Sequence, residues 1–153
     1  MAVSHLRQLL YTFLSPPSQN LVRKEKEYIL KAALQAPTAG NMALYSIIDV
    51  QDQQIKDQLA VTCDHQPFIA KAPLVLLFLA DYQKWYDMYQ LYDENVQGLG
   101  EADFILAIED CMIAAQNAVV AAWSMGIGSC YIGDILENFE VHQKLFNLPQ
   151  YAM

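Results

Sequence analysis

The sequence predicts an α+β fold, in which helices flank a small antiparallel or mixed β-sheet around one long buried helix. Residues 102–125 contain many alanines and neither Pro nor Gly, and they are apolar on nearly every side, as expected of a buried helix. Residues 45–50 are rich in β-branched side chains, and residues 74–80 include no polar side chain, which predicts two strands, the second covered on both faces. The 153 residues contain no linker, so we expect a single domain over residues 1–153.

Charge and cysteine content restrict the possible partners. The net charge of −8 and the pI near 4.6 argue against nucleic acid, because phosphate binding needs basic patches. The three cysteines, Cys63, Cys111 and Cys130, have no metal-site spacing, so no metal is expected. The first residues lack the apolar segment of a signal peptide, and we therefore expect a reducing, cytoplasmic location.

The other predicted elements follow from local periodicity and breakers. Apolar residues at helical spacing, and acids or amides near helix starts, indicate most of them. The predictions are helices at 2–14, 21–35 and 53–63, an aromatic helical segment at 82–92, a strand at 129–135 and a short helix at 139–146.

A membrane span is the main alternative for the long helix. The uncharged run at residues 111–133 is long enough to cross a bilayer. However, Gln116, Asn117 and Ser124 lie inside it, and no basic flank follows. We therefore interpret it as a core or subunit-interface helix and expect no membrane association. Small residues at Ala114, Ala118 and Ala121 would permit close approach of a partner helix.

Common catalytic motifs are missing from the sequence. The segment GIGSCYIG at residues 126–133 does not have the spacing of a dinucleotide-binding G-x-G-x-x-G motif, and it follows a helix rather than a strand. His5, His65 and His142 are scattered and form no triad or metal pattern. None of the three histidines is therefore favoured as a catalytic residue.

Two loops of small residues are better candidates for a binding site. They read APTAGNM at residues 36–42 and GSCYIG at residues 128–133. Such loops can bring backbone amides close to a flat, polarised cofactor ring. From the pattern alone, ordinary turns are the favoured interpretation.

The order of four segments resembles the FMN-dependent nitroreductase and flavin reductase family, and most closely its oxygen-insensitive NAD(P)H nitroreductases. The segments are APTAGNMALYSIIDV at 36–50, QPFIAKAP at 66–73, AAWSMGIGSCYIGDILEN at 121–138 and LFNLP at 145–149. The resemblance implies a three-layer α+β fold and a homodimer formed through the long helix. It also implies FMN in a cleft between subunits, NAD(P)H as electron donor, and nitroaromatic, quinone or flavin acceptors. Because the flavin would do the chemistry, the resemblance implies no catalytic side chain.

The resemblance also implies particular cofactor-binding residues. By position, these are Thr38, Ala39 and Asn41 in the first loop, Gln66 before the second strand, and Tyr131, Ile132 and Gly133 in the second loop. The family's phosphate-binding R-S-x-R should fall where this chain reads YTFL at residues 11–14, which leaves only the Thr12 hydroxyl.

Several departures from the family pattern leave an alternative open. Ala43 and Leu44 replace the usual Gln-Pro, and Leu136 replaces the arginine that often follows the I-G-G segment. The sequence also stops at Met153, before the expected last core strand and C-terminal arm. The alternative is a degenerate nitroreductase-fold dimer that binds flavin weakly or not at all and acts as a binding or structural protein.

Overall fold

The computed structural model describes the backbone of residues 9–14 and all of residues 21–153. The strands are β1 (Leu9–Leu14), β2 (Tyr45–Asp49), β3 (Leu74–Ala80) and β4 (Gly128–Ile132). The helices are α1 (Arg23–Leu34), α2 (Gln53–Thr62), α3 (Pro67–Lys71), α4 (Gln83–Gln90), α5 (Glu101–Ser124) and α6 (Phe139–Leu145). Two short 3₁₀ turns lie at Ala39–Asn41 and Gly133–Leu136.

The four strands form one antiparallel sheet in the order β2-β3-β1-β4. All seven residues of β3 are buried, and its bounds are those predicted. Its side chains alternate between two cores. Leu76 and Phe78 pack in one core with α1 and α5, whereas Val75 and Leu77 pack in the other with residues of α2 and α3. The predicted α+β fold with helices on both sides of a sheet is confirmed.

The two sides of α5 differ in the size of their side chains. The side that faces the sheet and α1 is built largely from alanines, which let the helix pack closely. The opposite side exposes Ile105, Met112, Ile113, Val120 and Trp123, and we call this set the exposed apolar stripe of α5. The helix is therefore central, but within one chain it is buried on one side only.

The alanines that we expected to meet a partner helix lie inside the protomer. Ala114 and Ala118 are fully buried and Ala121 is nearly so, within the chain's own fold. That prediction was wrong because small residues on a helix suit close packing on a sheet as well as on another helix. The residues available to a partner are the large ones of the exposed apolar stripe.

Among the described residues, α5 is the one helix long and apolar enough to cross a bilayer, as judged by length and composition alone. Its most apolar window has a mean hydropathy of 1.5, and 44% of that window is buried within the fold. Burial of this kind is typical of the core helix of a folded domain.

Some predicted elements differ in the structure. Residues 9–14 form β1 rather than the end of a helix, and residues 2–8 lie outside the described residues. Pairing with both β3 and β4 gives the backbone of β1 its hydrogen-bond partners, and this tertiary effect outweighs local helical periodicity. The strand predicted at 129–135 ends at Ile132, where the 3₁₀ turn Gly133–Leu136 begins. Helix α3, which starts with Pro67, was not predicted.

Candidate functional site

The first candidate loop is a tight turn between α1 and β2. Thr38 precedes the 3₁₀ turn Ala39–Asn41, and its Oγ1 accepts a hydrogen bond of 3.1 Å from the amide of Ala43. Gly40 and Asn41 have φ angles of 55° and 57°, in the left-handed region that Gly and Asn tolerate best. These two residue types explain how the loop turns so sharply.

A buried carboxylate fixes this loop to α5. Asp110 is 2% exposed, and its two oxygens accept hydrogen bonds from the amide of Ala39 at 2.9 Å and from the amide of Leu44 at 3.1 Å. A buried carboxylate is tolerated only when such donors surround it. Asp110 therefore holds the middle of the predicted flavin-side loop and the residue just before β2.

Gln66 lies just before α3, and its side-chain amide is held on two sides. Nε2 donates to the carbonyl oxygen of Cys63 at 3.0 Å and to Oδ2 of Asp134 at 2.8 Å. Its backbone amide also donates to the carbonyl oxygen of Ala60 at 2.7 Å. The side chain is half-buried and is connected, through Asp134, to the end of the second candidate loop.

The second candidate loop contains the end of β4 and the turn that follows. Tyr131 is 39% exposed, and its hydroxyl donates to Oε1 of Gln116 in α5 at 2.7 Å. Ile132 is 2% exposed and packs in the core beside α2 and α3. A Cβ placed on Gly133 would meet no heavy atom within 4 Å, so the space beside this residue is open.

Thr12 lies in β1, between two strands. Its backbone is opposite Val75 in β3 and opposite Cys130 in β4, next to Tyr131. Its side chain lies outside what the structure describes, so the predicted phosphate contact of its hydroxyl stays a prediction.

The structure brings some of the predicted residues together. Gln66 is joined to the 131–133 segment through Asp134, and the backbone of Thr12 borders the same segment. Within residues 21–153, no hydrogen bond connects this group to the loop of Thr38, Ala39 and Asn41. Both groups are instead attached to α5, through Asp110 and through Gln116.

A buried histidine supports the turn that follows the second candidate loop. His142 of α6 is fully buried, its Nδ1–H donates to the carbonyl oxygen of Ile135 at 2.8 Å, and its Nε2 lies 2.8 Å from Oγ1 of Thr62. Burial lowers the pKa of His142, and the hydrogen bond to Ile135 partly opposes that shift. This histidine therefore stabilises the turn Gly133–Leu136.

Charged groups near the two loops are mainly acidic. Asp110 accepts hydrogen bonds at the first loop, and Asp134 directly follows the second. In the part of the chain that the structure describes, no Lys or Arg side chain hydrogen-bonds to either loop. The described residues also include no cluster of three His, Cys, Asp or Glu side chains able to hold a metal ion. Among the described residues, the two loops therefore offer a ligand hydrogen bonding and shape rather than positive charge.

A family profile described as the nitroreductase family matches residues 17–153. This chain belongs to the nitroreductase family.

Several similar proteins are named as reductases. The chain is 31% identical over 137 residues to a protein named FMN reductase (NADPH) from Bacillus subtilis, covering 88% of this chain and 55% of the relative. It is 30% identical over 129 residues to an oxygen-insensitive NADPH nitroreductase from Salmonella typhimurium, covering 84% and 52%. The chain thus spans about half the length of the curated relatives it matches.

Solved structures in the nitroreductase family share the fold. The NfrA1 nitroreductase from B. subtilis superimposes with a TM-score of 0.80 at 31% identity, covering 93% of this chain and 58% of that one. The NADPH:FMN oxidoreductase from Vibrio harveyi, complexed with NAD⁺, gives a TM-score of 0.80 at 26% identity, covering 92% and 60%.

Two residues of this nitroreductase-family site were missed by the sequence analysis. Asp110 had a detectable signal, since it lies on the same side of the helix as the apolar Ala107 and Ala114, and an acid there must find donors. Asp134 gave no comparable signal. Its contact with Gln66 joins residues 68 positions apart and depends on the sheet topology.

Proposed function

We propose that this protein is an FMN-dependent oxidoreductase that transfers electrons from NAD(P)H to nitroaromatic, quinone or flavin acceptors. The observation that carries the proposal is the Gln66–Asp134–Gly133 group, which combines a fixed amide with open space in a nitroreductase-family chain. Relatives named FMN reductase (NADPH) and NADPH-flavin oxidoreductase support the choice of cofactor and electron donor.

The residues present fit a flavin ring. The ring would lie against the backbone of Tyr131, Ile132 and Gly133, where the absence of a Cβ at Gly133 leaves room for a flat group. Gln66 would supply a polar contact at the ring edge. Thr38, Ala39 and Asn41 would border it from the loop that Asp110 holds.

The phosphate end of FMN fits less well. A phosphate dianion is normally paired with arginine or lysine, and the described part of either loop has no such partner. The net charge of −8 adds repulsion that physiological salt partly screens. We expect FMN to bind mainly through its ring, with the Thr12 hydroxyl as one contact to the phosphate.

The chemistry that FMN supplies when bound is hydride acceptance from NAD(P)H and electron delivery to the second substrate. The protein's part is to bind the ring, orient its edge and exclude water. No side chain of the candidate site need move a proton, in keeping with the predicted lack of a catalytic residue.

We further propose a cytoplasmic homodimer of single-domain chains comprising residues 1–153. The exposed apolar stripe of α5 supports dimerisation, because a contiguous set of large apolar side chains on one helix is costly to leave in water. A second copy packed on α5 would also border Tyr131, which is bonded to Gln116 on that helix.

Calorimetric titration with FMN and with riboflavin tests the proposed cofactor. We expect micromolar binding of both, with only a small preference for FMN. The matched variants are Gly133→Ala and Gly133→Val. Because open space surrounds this position, both should fold like the parent, and Val should fill the space needed by the ring and weaken binding at least about tenfold.

That titration, together with an assay of NAD(P)H oxidation, also distinguishes a reductase from a non-enzymatic dimer. Binding that falls from Gly to Ala to Val, together with NAD(P)H oxidation on addition of a quinone, supports the reductase. Failure of the parent to bind either flavin would leave the non-enzymatic dimer as the better account.

A further inference from the structure

The side-chain amide of Gln66 can have only one orientation. Its two neighbours, the carbonyl oxygen of Cys63 at 3.0 Å and Oδ2 of Asp134 at 2.8 Å, are both acceptors. A carbonyl oxygen cannot donate, and an ionised carboxylate cannot donate either. The NH₂ group must therefore face these two oxygens, and both of its hydrogens are used.

The carbonyl oxygen of Gln66 is consequently the group left to meet a ligand. In residues 21–153, no donor forms a hydrogen bond to Oε1 of Gln66. The side chain is half-buried, so an acceptor that lacks a donor after a ligand displaces water would be costly. The matching ligand group is an N–H or O–H donor beside the open space at Gly133.

We propose that Asp134 is a positioning residue that holds Gln66 so that its Oε1 accepts the N3–H of the flavin ring. This inference rests on the proposed function. The N3–H is the one ring N–H of an oxidised isoalloxazine, and it lies between two carbonyl acceptors. An amide turned by 180° would present its NH₂ group to the N3–H and lose that hydrogen bond.

Asp134 is well placed for this role. It directly follows Gly133, as the second residue of the turn Gly133–Leu136 that His142 holds through the carbonyl oxygen of Ile135. A hydrogen bond from an amide to a carboxylate is stronger than one to a neutral acceptor, so Asp134 fixes the amide more firmly than the Cys63 carbonyl alone would.

The test uses calorimetric titration of the apoprotein with FMN and with its N3-methyl analogue. Asp134→Ala should weaken FMN binding about fivefold to tenfold, the worth of one oriented hydrogen bond. It should change binding of the N3-methyl analogue less than about twofold, because that ligand has no N3–H. Asp134→Asn keeps an acceptor oxygen and should restore most of the FMN affinity.

A double-mutant cycle shows whether Asp134 acts through Gln66. In a Gln66→Ala background, Asp134→Ala should have less than about twofold further effect on FMN binding. Thermal unfolding of each apoprotein checks folding. If Asp134→Ala does not fold, Asp134→Asn is compared in the same cycle, and it should show a smaller loss that is selective for FMN.

Results against the role of Asp134 can be told apart from results against the proposed function. Equal losses for FMN and the N3-methyl analogue, or losses that add to those of Gln66→Ala, would make Asp134 a general support of the turn and overturn the inference alone. The same holds if FMN binds the parent and every variant equally. A parent that binds neither flavin overturns both this inference and the proposed function.

Discussion

The Tyr131 hydroxyl donates a hydrogen bond of 2.7 Å to Oε1 of Gln116, and this bond joins the end of β4 to the exposed side of α5. Gln116 lies between Ile113 and Val120 of the exposed apolar stripe. A partner that covers the stripe would therefore also touch the strand that carries the candidate flavin-binding segment. Assembly and cofactor binding are expected to influence each other through this contact.

Charges in the exposed apolar stripe should separate the proposed dimer. Trp123 is 77% exposed and Val120 is 52% exposed, so glutamate at either position leaves the isolated chain intact but buries a charge in the interface. We expect the dimer dissociation constant to rise at least about a hundredfold. Light scattering at micromolar concentration measures this. Leu91→Glu, at an 81% exposed position outside α5, is the control and should remain dimeric.

Ala118→Glu should behave differently from the charges in the stripe. Ala118 is fully buried beside the sheet, so a carboxylate there has no donor and no room. We expect a loss of about 3 to 5 kcal/mol in the free energy of unfolding, or no soluble protein. Urea unfolding followed by circular dichroism is the measurement. A stable, folded monomer would instead indicate that Ala118 lies in the dimer interface.

Removing the carboxylate of Asp110 should loosen the first loop. Asp110→Ala leaves the amides of Ala39 and Leu44 without their acceptor, at a cost of about 2 to 4 kcal/mol in the free energy of unfolding. Asp110→Asn keeps one acceptor and should lose about half as much. The neighbouring Glu109 is exposed, and Glu109→Ala is the matched control. Equal unfolding midpoints for all three variants would show that the loop does not depend on Asp110.

The three cysteines should differ in reactivity in the native protein. Burial raises the pKa of Cys63 and of Cys111 to about 12, so neither thiol forms the nucleophilic thiolate at pH 8. Cys130 is only partly buried, in β4. We expect iodoacetamide to label Cys130 in minutes and the other two only after unfolding, as read by peptide mass spectrometry. Native labelling of Cys63 or Cys111 would contradict the described burial.

His142 should make stability depend on pH in the acidic range. Burial lowers its pKa in the folded state below the ordinary value of 6.5, so the unfolded chain binds the proton more readily. The resulting stability is present above pH 6.5 and is lost as the pH falls through the folded-state pKa. His142→Gln should flatten this part of the unfolding free-energy curve. His65→Gln, which removes an exposed imidazole, is the control, and an unchanged slope in His142→Gln would exclude this origin.

Elements bounded by strong local signals were predicted well. Strand β3 has the predicted bounds because an unbroken apolar run lies between Pro73 and Asp81, and α5 matches to within one residue at each end. The helix predicted at residues 2–14 was wrong over residues 9–14. The conformation of this segment depends on pairing with β3 and β4 rather than on its own periodicity.

The candidate site was predicted in parts. The positions of Gln66 and of the 131–133 segment came from motif order, and the structure connects them. The connecting residue, Asp134, was not predicted, because nothing in the local sequence indicates which distant amide a carboxylate in a turn will meet.

The position of β1 in the sheet affects how the chain reaches its native state. Leu10 pairs with Leu77 on one side and with Ile132 on the other. Because both partners come much later in the sequence, β1 is synthesised well before either neighbouring strand. The four-stranded sheet cannot be completed during synthesis until β4 has left the ribosome. Until then β1 has unpaired backbone groups that chaperones or other nascent chains can bind. A fold with such distant pairings is expected to form slowly and to benefit from slow translation or low expression temperature.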